Sequence, residues 1–116
     1  IHRASLEAMR RAVLALDPAA DLVLVDAFRI PDLQVPQRAV VHGDRRCAVI
    51  AAASIMAKVT RDREMCVLHA SDPRYGFDKH KGYATAEHLA AVARHGYSIL
   101  HRRSFRPASL FGRIEP

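Results

Sequence analysis

Cysteine is scarce in this 116-residue sequence, which contains only Cys47 and Cys66. The two stand far apart, and neither has a second cysteine or a histidine at the spacing that zinc sites use, so a structural zinc site is not expected. Both are predicted to be small buried hydrophobes in a reducing compartment.

Long apolar runs are also missing. No run approaches the roughly 18 residues of a membrane span, and no leader with a charged, an apolar and a small-residue part opens the sequence. A cytoplasmic location without a membrane partner is therefore expected. The sequence starts at Ile1, directly before a helical pattern and without an initiator Met, and we expect it to begin inside a larger protein.

Half of the residues are hydrophobic, which is typical of a globular protein. The length suits a single domain over residues 1–116. The formal charge is +6, with most of the excess of Lys and Arg after Asp44. A basic surface attracts polyanions and favours nucleic acid, although basic segments also serve solubility.

Hydrophobic spacing predicts an α/β order of elements. Helices are predicted at 5–16, 47–69 and 85–95, strands at 22–25 and 38–41, and loops at 28–37 and 74–84. Asp17-Pro18 and Asp72-Pro73 mark helix ends, while Thr85 and Gly96 are expected to cap the last helix. The residues of the long helix predicted to pack are Ile50, Ala53, Ala57, Val59, Met65 and Leu68.

Two aspartates follow the predicted strands. Asp26 comes directly after 22–25, and Asp44 follows 39–41 and a His-Gly pair. Acids at the carboxyl ends of strands face the crevice where open α/β sheets do their chemistry, so the pair predicts a shared cation site. Ordinary turn chemistry of aspartate is the alternative, because many unrelated domains place an Asp after an apolar strand.

Three polar residues share one face of the long helix, since Ser54, Lys58 and Asp62 recur at every fourth position. A hydroxyl and an ammonium one turn apart can hold a phosphate backbone. The alternative is a surface serine beside a Lys58–Asp62 ion pair of little energetic weight.

Several segments in order closely resemble the bacterial ribonuclease HII family. They are SIMAKVTRD at 54–62, YGF at 75–77, HKGY at 80–83 and HRRSF at 101–105, preceded by VD at 25–26 and HGD at 42–44. The resemblance covers essentially all of the chain, as the carboxyl-terminal half or so of the family's catalytic domain.

The resemblance implies a ribonuclease H-like fold, here partial, and cleavage of the ribonucleotide-containing strand of an RNA–DNA hybrid or of duplex DNA. It implies Mg or Mn ions held by four carboxylates, two of them at Asp26 and Asp44. The other two belong to an Asp-Glu pair that precedes a Gly-Arg-Gly turn, and neither element occurs here. The chain is therefore expected to be amino-terminally truncated and inactive by itself, and the full-length enzyme to be a monomer.

The resemblance also implies roles for other residues. Tyr83 would stack on the sugar at the RNA-to-DNA junction, where the 2′-hydroxyl separates RNA from DNA. Ala27 replaces the glycine that usually follows the first aspartate, which should narrow backbone freedom there. Phe105 is expected to anchor the tail. Contacts to nucleic acid are expected from Ser54, Lys58, His80, Lys81, Arg102 and Arg103.

Two other functions fit the residues themselves. The chain can be a basic binding module that holds duplex nucleic acid and catalyses nothing. It can also belong to a metal-dependent phosphotransfer enzyme that uses Asp26 and Asp44 on a small substrate, although the sequence has no Gly-rich loop to cradle a phosphate.

Overall fold

The computed structural model describes residues 2–102, in which two consecutive strands lie between one helix and a series of helical elements. The chain folds as two compact units, Ile1–Ala57 and Lys58–Pro116. The elements in chain order are α1 (His2–Leu14), β1 (Val23–Asp26), β2 (Gln37–Val40), α2 (Gly43–Arg46), α3 (Ala48–Ser71), a 3₁₀ turn (Pro73–Tyr75), α4 (Phe77–His80) and α5 (Ala86–His95).

A small parallel sheet organises the first unit. β1 pairs with β2 in a register that sets Val23 opposite Gln37 and Asp26 opposite Val40. The connection bends back on itself because the Gln37 amide accepts from the N–H of Ile30 and donates to its carbonyl, both at 2.7 Å. Ile30 is 3% exposed and anchors this connection. The predicted α/β class is confirmed, and the predicted loop between the strands is present.

An aromatic cluster forms the core of the second unit. Tyr75, Phe77 and Val92 are buried together, and the rings of Tyr75 and Phe77 stack with centroids 5.5 Å apart. The Tyr75 hydroxyl donates to the carbonyl of Gly96 at 2.9 Å, which satisfies the one polar atom of this ring. The half-buried residues around the cluster are Met65, Leu68, Ala91 and Tyr97.

The segment 74–84, predicted as a loop, contains the 3₁₀ turn and α4, so that prediction is wrong in part. The Asp72 side chain accepts from the backbone N–H of Arg74 and starts the turn. Gly76 and Lys81 adopt left-handed conformations on either side of α4, which confines it to a single turn. The caps of α5 are as predicted, with Thr85 accepting from the N–H of His88 and Gly96 following the last helical residue.

Burial along α3 differs from the prediction. Ile50 is buried and Met65 and Leu68 are half-buried, but Ala53 and Ala57 are exposed and Val59 is 41% exposed. The apolar residues of α3 are spread around the helix rather than along one stripe, so spacing alone does not identify the buried face.

Neither cysteine is fully buried, contrary to the prediction. Cys66 is exposed and Cys47 is half-buried. Cys66 lies on α3 with its Sγ 3.4 Å from the Lys81 ammonium, on a side of the helix that solvent reaches. Among the described helices, none has the length and apolar character needed to cross a membrane.

Ala27 holds a backbone conformation that suits glycine, with φ at +64°. A left-handed conformation costs an alanine about 1 kcal/mol or more, because Cβ crowds the following carbonyl. We therefore expect Ala27→Gly to raise the free energy of unfolding by about 0.5 to 1 kcal/mol, with the entropy of the added glycine subtracted. Urea titration followed by circular dichroism measures the change.

The matched control is Ala53→Gly in the exposed interior of α3, which should lower the free energy of unfolding by about 1 kcal/mol. An Ala27→Gly protein less stable than the parent would mean that this position carries no strain to relieve.

Candidate metal and nucleic-acid sites

The parallel pairing of β1 and β2 brings Asp26 to the segment that contains Asp44. Asp26 is the last residue of β1, and Asp44 lies in the first turn of α2. The N–H of Gly43 donates to Oδ1 of Asp26 at 2.8 Å. The Asp26 carboxylate is thus fixed against the residue that precedes Asp44, and both acidic residues are exposed.

Gly43 permits this approach because it lacks a side chain. A Cβ atom added there would lie 2.6 Å from Cδ1 of Ile50 and 3.4 Å from both Cα and Oδ1 of Asp26. The preceding residue, His42, turns the chain with a left-handed φ of 53°. Any larger residue at position 43 would displace Ile50 and crowd the strand end that carries Asp26.

The donor chemistry of the two aspartates fits a hard cation. Mg²⁺ and Mn²⁺ prefer oxygen ligands, and a carboxylate that accepts one hydrogen bond keeps lone pairs for an ion. Across residues 2–102, no three His, Cys, Asp or Glu side chains gather as a metal-binding group. Asp26 and Asp44 can therefore supply part of a coordination shell, and the shared cation site stays a prediction.

The polar face of α3 is formed as predicted. Lys58 and Asp62 pair at 2.8 Å between Nζ and Oδ2, and this hydrogen bond raises the pKa of Lys58 and lowers the pKa of Asp62. The Lys58 side chain remains 71% exposed. Ser54 is exposed and donates its hydroxyl to the carbonyl of Ala51 at 2.8 Å. The surface ion pair is therefore present, and a mostly exposed ammonium can still meet a phosphate.

Tyr83 presents its ring to solvent. The residue is 65% exposed, so this tyrosine is not packed on the core. Arg61 lies over the ring, with Cζ 5.3 Å from the centroid. The same guanidinium donates to the carbonyl of Lys81 at 2.8 Å. Arg61 thus supports both the ring and the backbone that carries it, and places a positive charge beside a stackable aromatic face.

Two residues predicted to contact phosphate, His80 and Lys81, are less exposed to solvent than expected. His80 is 7% exposed, and its Nε2 is 2.6 Å from the carbonyl of Tyr75, so burial gives it a structural position rather than a surface one. The Lys81 ammonium donates to the carbonyl of Asp78 and remains half-buried. Arg102 is exposed, whereas Arg103 and Phe105 lie outside the described residues.

A chain of hydrogen bonds connects two histidine side chains to the Tyr83 backbone. Nδ1 of His88 is 2.8 Å from the Tyr83 carbonyl, and its Nε2 is 3.0 Å from Nε2 of His101. Nδ1 of His101 in turn accepts from the N–H of Ser98 at 3.1 Å. The ring of His80 stacks on that of His88 at 4.3 Å between centroids.

Comparison with known proteins identifies the family of this chain. The family described as Ribonuclease HII matches residues 1–108. The chain belongs to the ribonuclease HII family. Ribonuclease HII of Dechloromonas aromatica is 55% identical over 109 residues, which cover 94% of this chain and 56% of that protein. Ribonuclease HII of Pelotomaculum thermopropionicum is 54% identical over 112 residues, which cover 97% of this chain and 42% of that protein.

A third relative, Ribonuclease HII of Chromohalobacter salexigens, is 56% identical over 107 residues, which cover 92% of this chain and 54% of that protein. The chain thus spans about half the length of the ribonuclease HII relatives it matches. The predicted family is confirmed.

Two residues that contact the candidate site of this ribonuclease HII chain are missed by sequence reasoning. Arg61 and His88 stand in no pattern that sets them apart from their neighbours in the sequence. The available signal for Arg61 is its place three residues after Lys58 on the same helix. His88 has no such signal, because its contacts depend on how α5 packs against the turn at 80–83.

Stability should fall as the pH drops below about 6.5. Burial lowers the pKa of both His88 and His101 from the ordinary value of 6.5; His88 and His80 add to the effect on His101, and Asp72 opposes it. The folded protein binds these protons less readily than the unfolded chain. The stabilisation is therefore fully present above 6.5 and is lost as the pH falls through the folded-state pKa values.

Urea unfolding at pH 7.5 and pH 5 measures this loss, and His101→Gln should show a smaller difference between the two. An unfolding free energy that is equal or higher at pH 5 would contradict the assignment of neutral histidines.

Proposed function

We propose that the enzyme containing this chain is an endoribonuclease that uses divalent cations to cleave the ribonucleotide-containing strand of RNA–DNA hybrids or of duplex DNA. The 2.8 Å hydrogen bond between Asp26 and Gly43 carries the proposal, because it fixes an exposed carboxylate next to the residue before Asp44. Membership of the ribonuclease HII family supports the substrate class.

Asp26 and Asp44 would hold the cations. When bound, Mg²⁺ or Mn²⁺ supplies Lewis-acid activation of a water molecule and stabilisation of the leaving oxygen. Asp26 contributes a preset orientation, because its Oδ1 is engaged by Gly43 and the carboxylate cannot rotate without losing that bond. Asp44 contributes a second carboxylate on the first turn of α2, where side-chain direction is set by a helical backbone. Further ligands must come from other residues of the whole enzyme.

Recognition of the substrate is assigned to the exposed groups of the second unit. Tyr83 offers a ring face for stacking on a sugar or base, and Arg61 keeps a positive charge over the ring. Lys58 offers an ammonium for a backbone phosphate, with Asp62 holding it in place. These contacts position a duplex, and the stacking contact is the one that can sense the 2′-hydroxyl.

A non-catalytic binding module is the second candidate. The exposed Tyr83 and Lys58 favour nucleic-acid binding whether or not cleavage occurs. Cleavage with Mg²⁺ or Mn²⁺ beside a single ribonucleotide in duplex DNA supports the nuclease. Binding without cleavage, by a full-length form that carries the family's Asp-Glu and Gly-Arg-Gly elements, supports the module.

In that full-length form, Asp44→Asn should lower kcat by orders of magnitude and leave substrate binding largely intact. Loss of one ligating carboxylate weakens transition-state stabilisation more than it weakens phosphate contacts. Single-turnover cleavage and equilibrium binding are measured on the same ribonucleotide-containing duplex. Asp21→Asn, an exposed aspartate outside the pair, serves as the control. Near-normal turnover of the Asp44 variant would remove this residue from the metal site.

Tyr83→Ala should weaken binding of a junction-containing duplex by roughly 1 to 3 kcal/mol, taking base–aromatic stacking as the guide, and should affect an all-DNA duplex less. Tyr83→Phe keeps the ring face and should retain most of the affinity. The two duplexes are compared by fluorescence anisotropy at one salt concentration, because phosphate contacts vary with salt. Equal weakening for both duplexes would show that Tyr83 does not discriminate.

A further inference from the structure

Three hydrogen bonds hold the backbone of Tyr83. Its N–H donates to the carbonyl of His80 at 2.9 Å, and its carbonyl accepts from the N–H of Thr85 at 2.8 Å. The same carbonyl lies 2.8 Å from Nδ1 of His88. The peptide groups of Tyr83 are therefore fixed on both sides, while the ring stays 65% exposed.

The hydrogen-bond partners determine which ring nitrogen of each histidine carries a proton. A carbonyl only accepts, so Nδ1 of His88 must be protonated and, in the neutral ring, Nε2 must accept. The donor to that nitrogen is Nε2 of His101, at 3.0 Å. A backbone N–H only donates, so Nδ1 of His101 is unprotonated and accepts from the N–H of Ser98 at 3.1 Å. The Ser98 hydroxyl, 2.8 Å from the same nitrogen, accepts from the N–H of Leu100 and can donate its own proton to Nδ1. Both ends of the chain thus require the same assignment.

The result is a hydrogen-bond chain with one direction, from Ser98 through His101 and His88 to Tyr83. A second proton on His101 would lie against the N–H of Ser98 and would require the Ser98 hydroxyl to stop donating to this nitrogen. A second proton on Nε2 of His88 would face the donor on His101. The chain is complete only when both rings are neutral. The stacked His80 uses its own nitrogens elsewhere, since its Nδ1 accepts from the N–H of Gly82 at 3.2 Å and its Nε2 lies 2.6 Å from the Tyr75 carbonyl.

We propose that His88 is a positioning residue for substrate recognition: its Nδ1–H fixes the Tyr83 backbone, and His101 holds the His88 ring in the tautomer that makes this possible. The inference rests on the proposed role of Tyr83 at the junction. His88 is 8% exposed, so it acts through Tyr83 and does not meet the nucleic acid. A ring that must stack on one sugar gains selectivity when its backbone is already fixed before binding.

Two substitutions separate the hydrogen bond from packing. Asn at position 88 places an amide near the position of Nδ1 and can still donate to the Tyr83 carbonyl. Gln is larger and fills more of the space, but its amide lies nearer the position of Nε2. If only packing mattered, His88→Gln would be the milder change. If the hydrogen bond to Tyr83 matters, His88→Asn should be the milder change.

The experiment uses the full-length form described above. We expect His88→Gln to raise KM for a junction-containing duplex by roughly five- to tenfold, the low end of what stacking contributes, with kcat changed less than KM and affinity for all-DNA duplex retained. His88→Asn should stay closer to the parent. The controls are His95→Asn and His95→Gln, at an exposed position in the last turn of the same helix.

A second measurement needs no variant and no activity. Long-range ¹H–¹⁵N spectra of the histidine rings at pH 7.5 should show His88 protonated at Nδ1 and His101 protonated at Nε2. The opposite tautomer on His88, or an Asn variant as impaired as the Gln variant, would overturn the proposal. If Tyr83→Ala leaves junction preference unchanged, the role of Tyr83 fails first and the positioning role fails with it, whatever the spectra show.

Discussion

Parallel pairing of β1 with β2 is the constraint from which the acidic site follows. In an antiparallel pair, the ends of consecutive strands would lie at opposite edges, and acids placed after them would be separated. Here the register sets Asp26 opposite Val40, so the chain leaving β2 passes the end of β1 within a few residues. The hydrogen bond from Gly43 to Asp26 then joins the two segments directly. A Cβ at position 43 would lie 2.6 Å from Cδ1 of Ile50, so any other residue there would force the Ile50 side chain to shift.

In the second unit, the exposed Tyr83 ring is carried by a backbone that hydrogen bonds hold in place. Lys81 and Gly82 both adopt positive φ and turn the chain sharply before Tyr83. Hydrogen bonds to main-chain carbonyls then fix the turn, since Arg61 donates to the carbonyl of Lys81 and His88 to that of Tyr83. Both donors come from helices, which are the stiffer parts of the unit.

Much of this arrangement could be predicted from the sequence, for identifiable reasons. The two strands, the three longer helices and the caps at Thr85 and Gly96 follow from local periodicity and cap chemistry, and their predicted bounds were right to within a few residues. The short helical turns at 43–46 and 73–80 were not predicted, because they are too short for a periodic pattern. The pairing of Lys58 with Asp62 follows from helical spacing alone. Burial on α3 cannot be predicted in this way, because the exposed Ala53 and Cys66 are residue types that are usually buried.

Contacts between elements set the remaining limit. His80 and Lys81 stand side by side in a basic segment, so the sequence predicts the same phosphate contact for both. In the structure, however, one ring nitrogen of His80 is bonded to the Tyr75 carbonyl and the other to the Gly82 N–H. A histidine with both nitrogens engaged by backbone has no proton or lone pair left for a phosphate. On this turn the buried His80 and His88 are committed to backbone groups, whereas the Tyr83 ring reaches solvent with Arg61 over it. The exposure of that ring is what makes it available for the proposed recognition of a substrate.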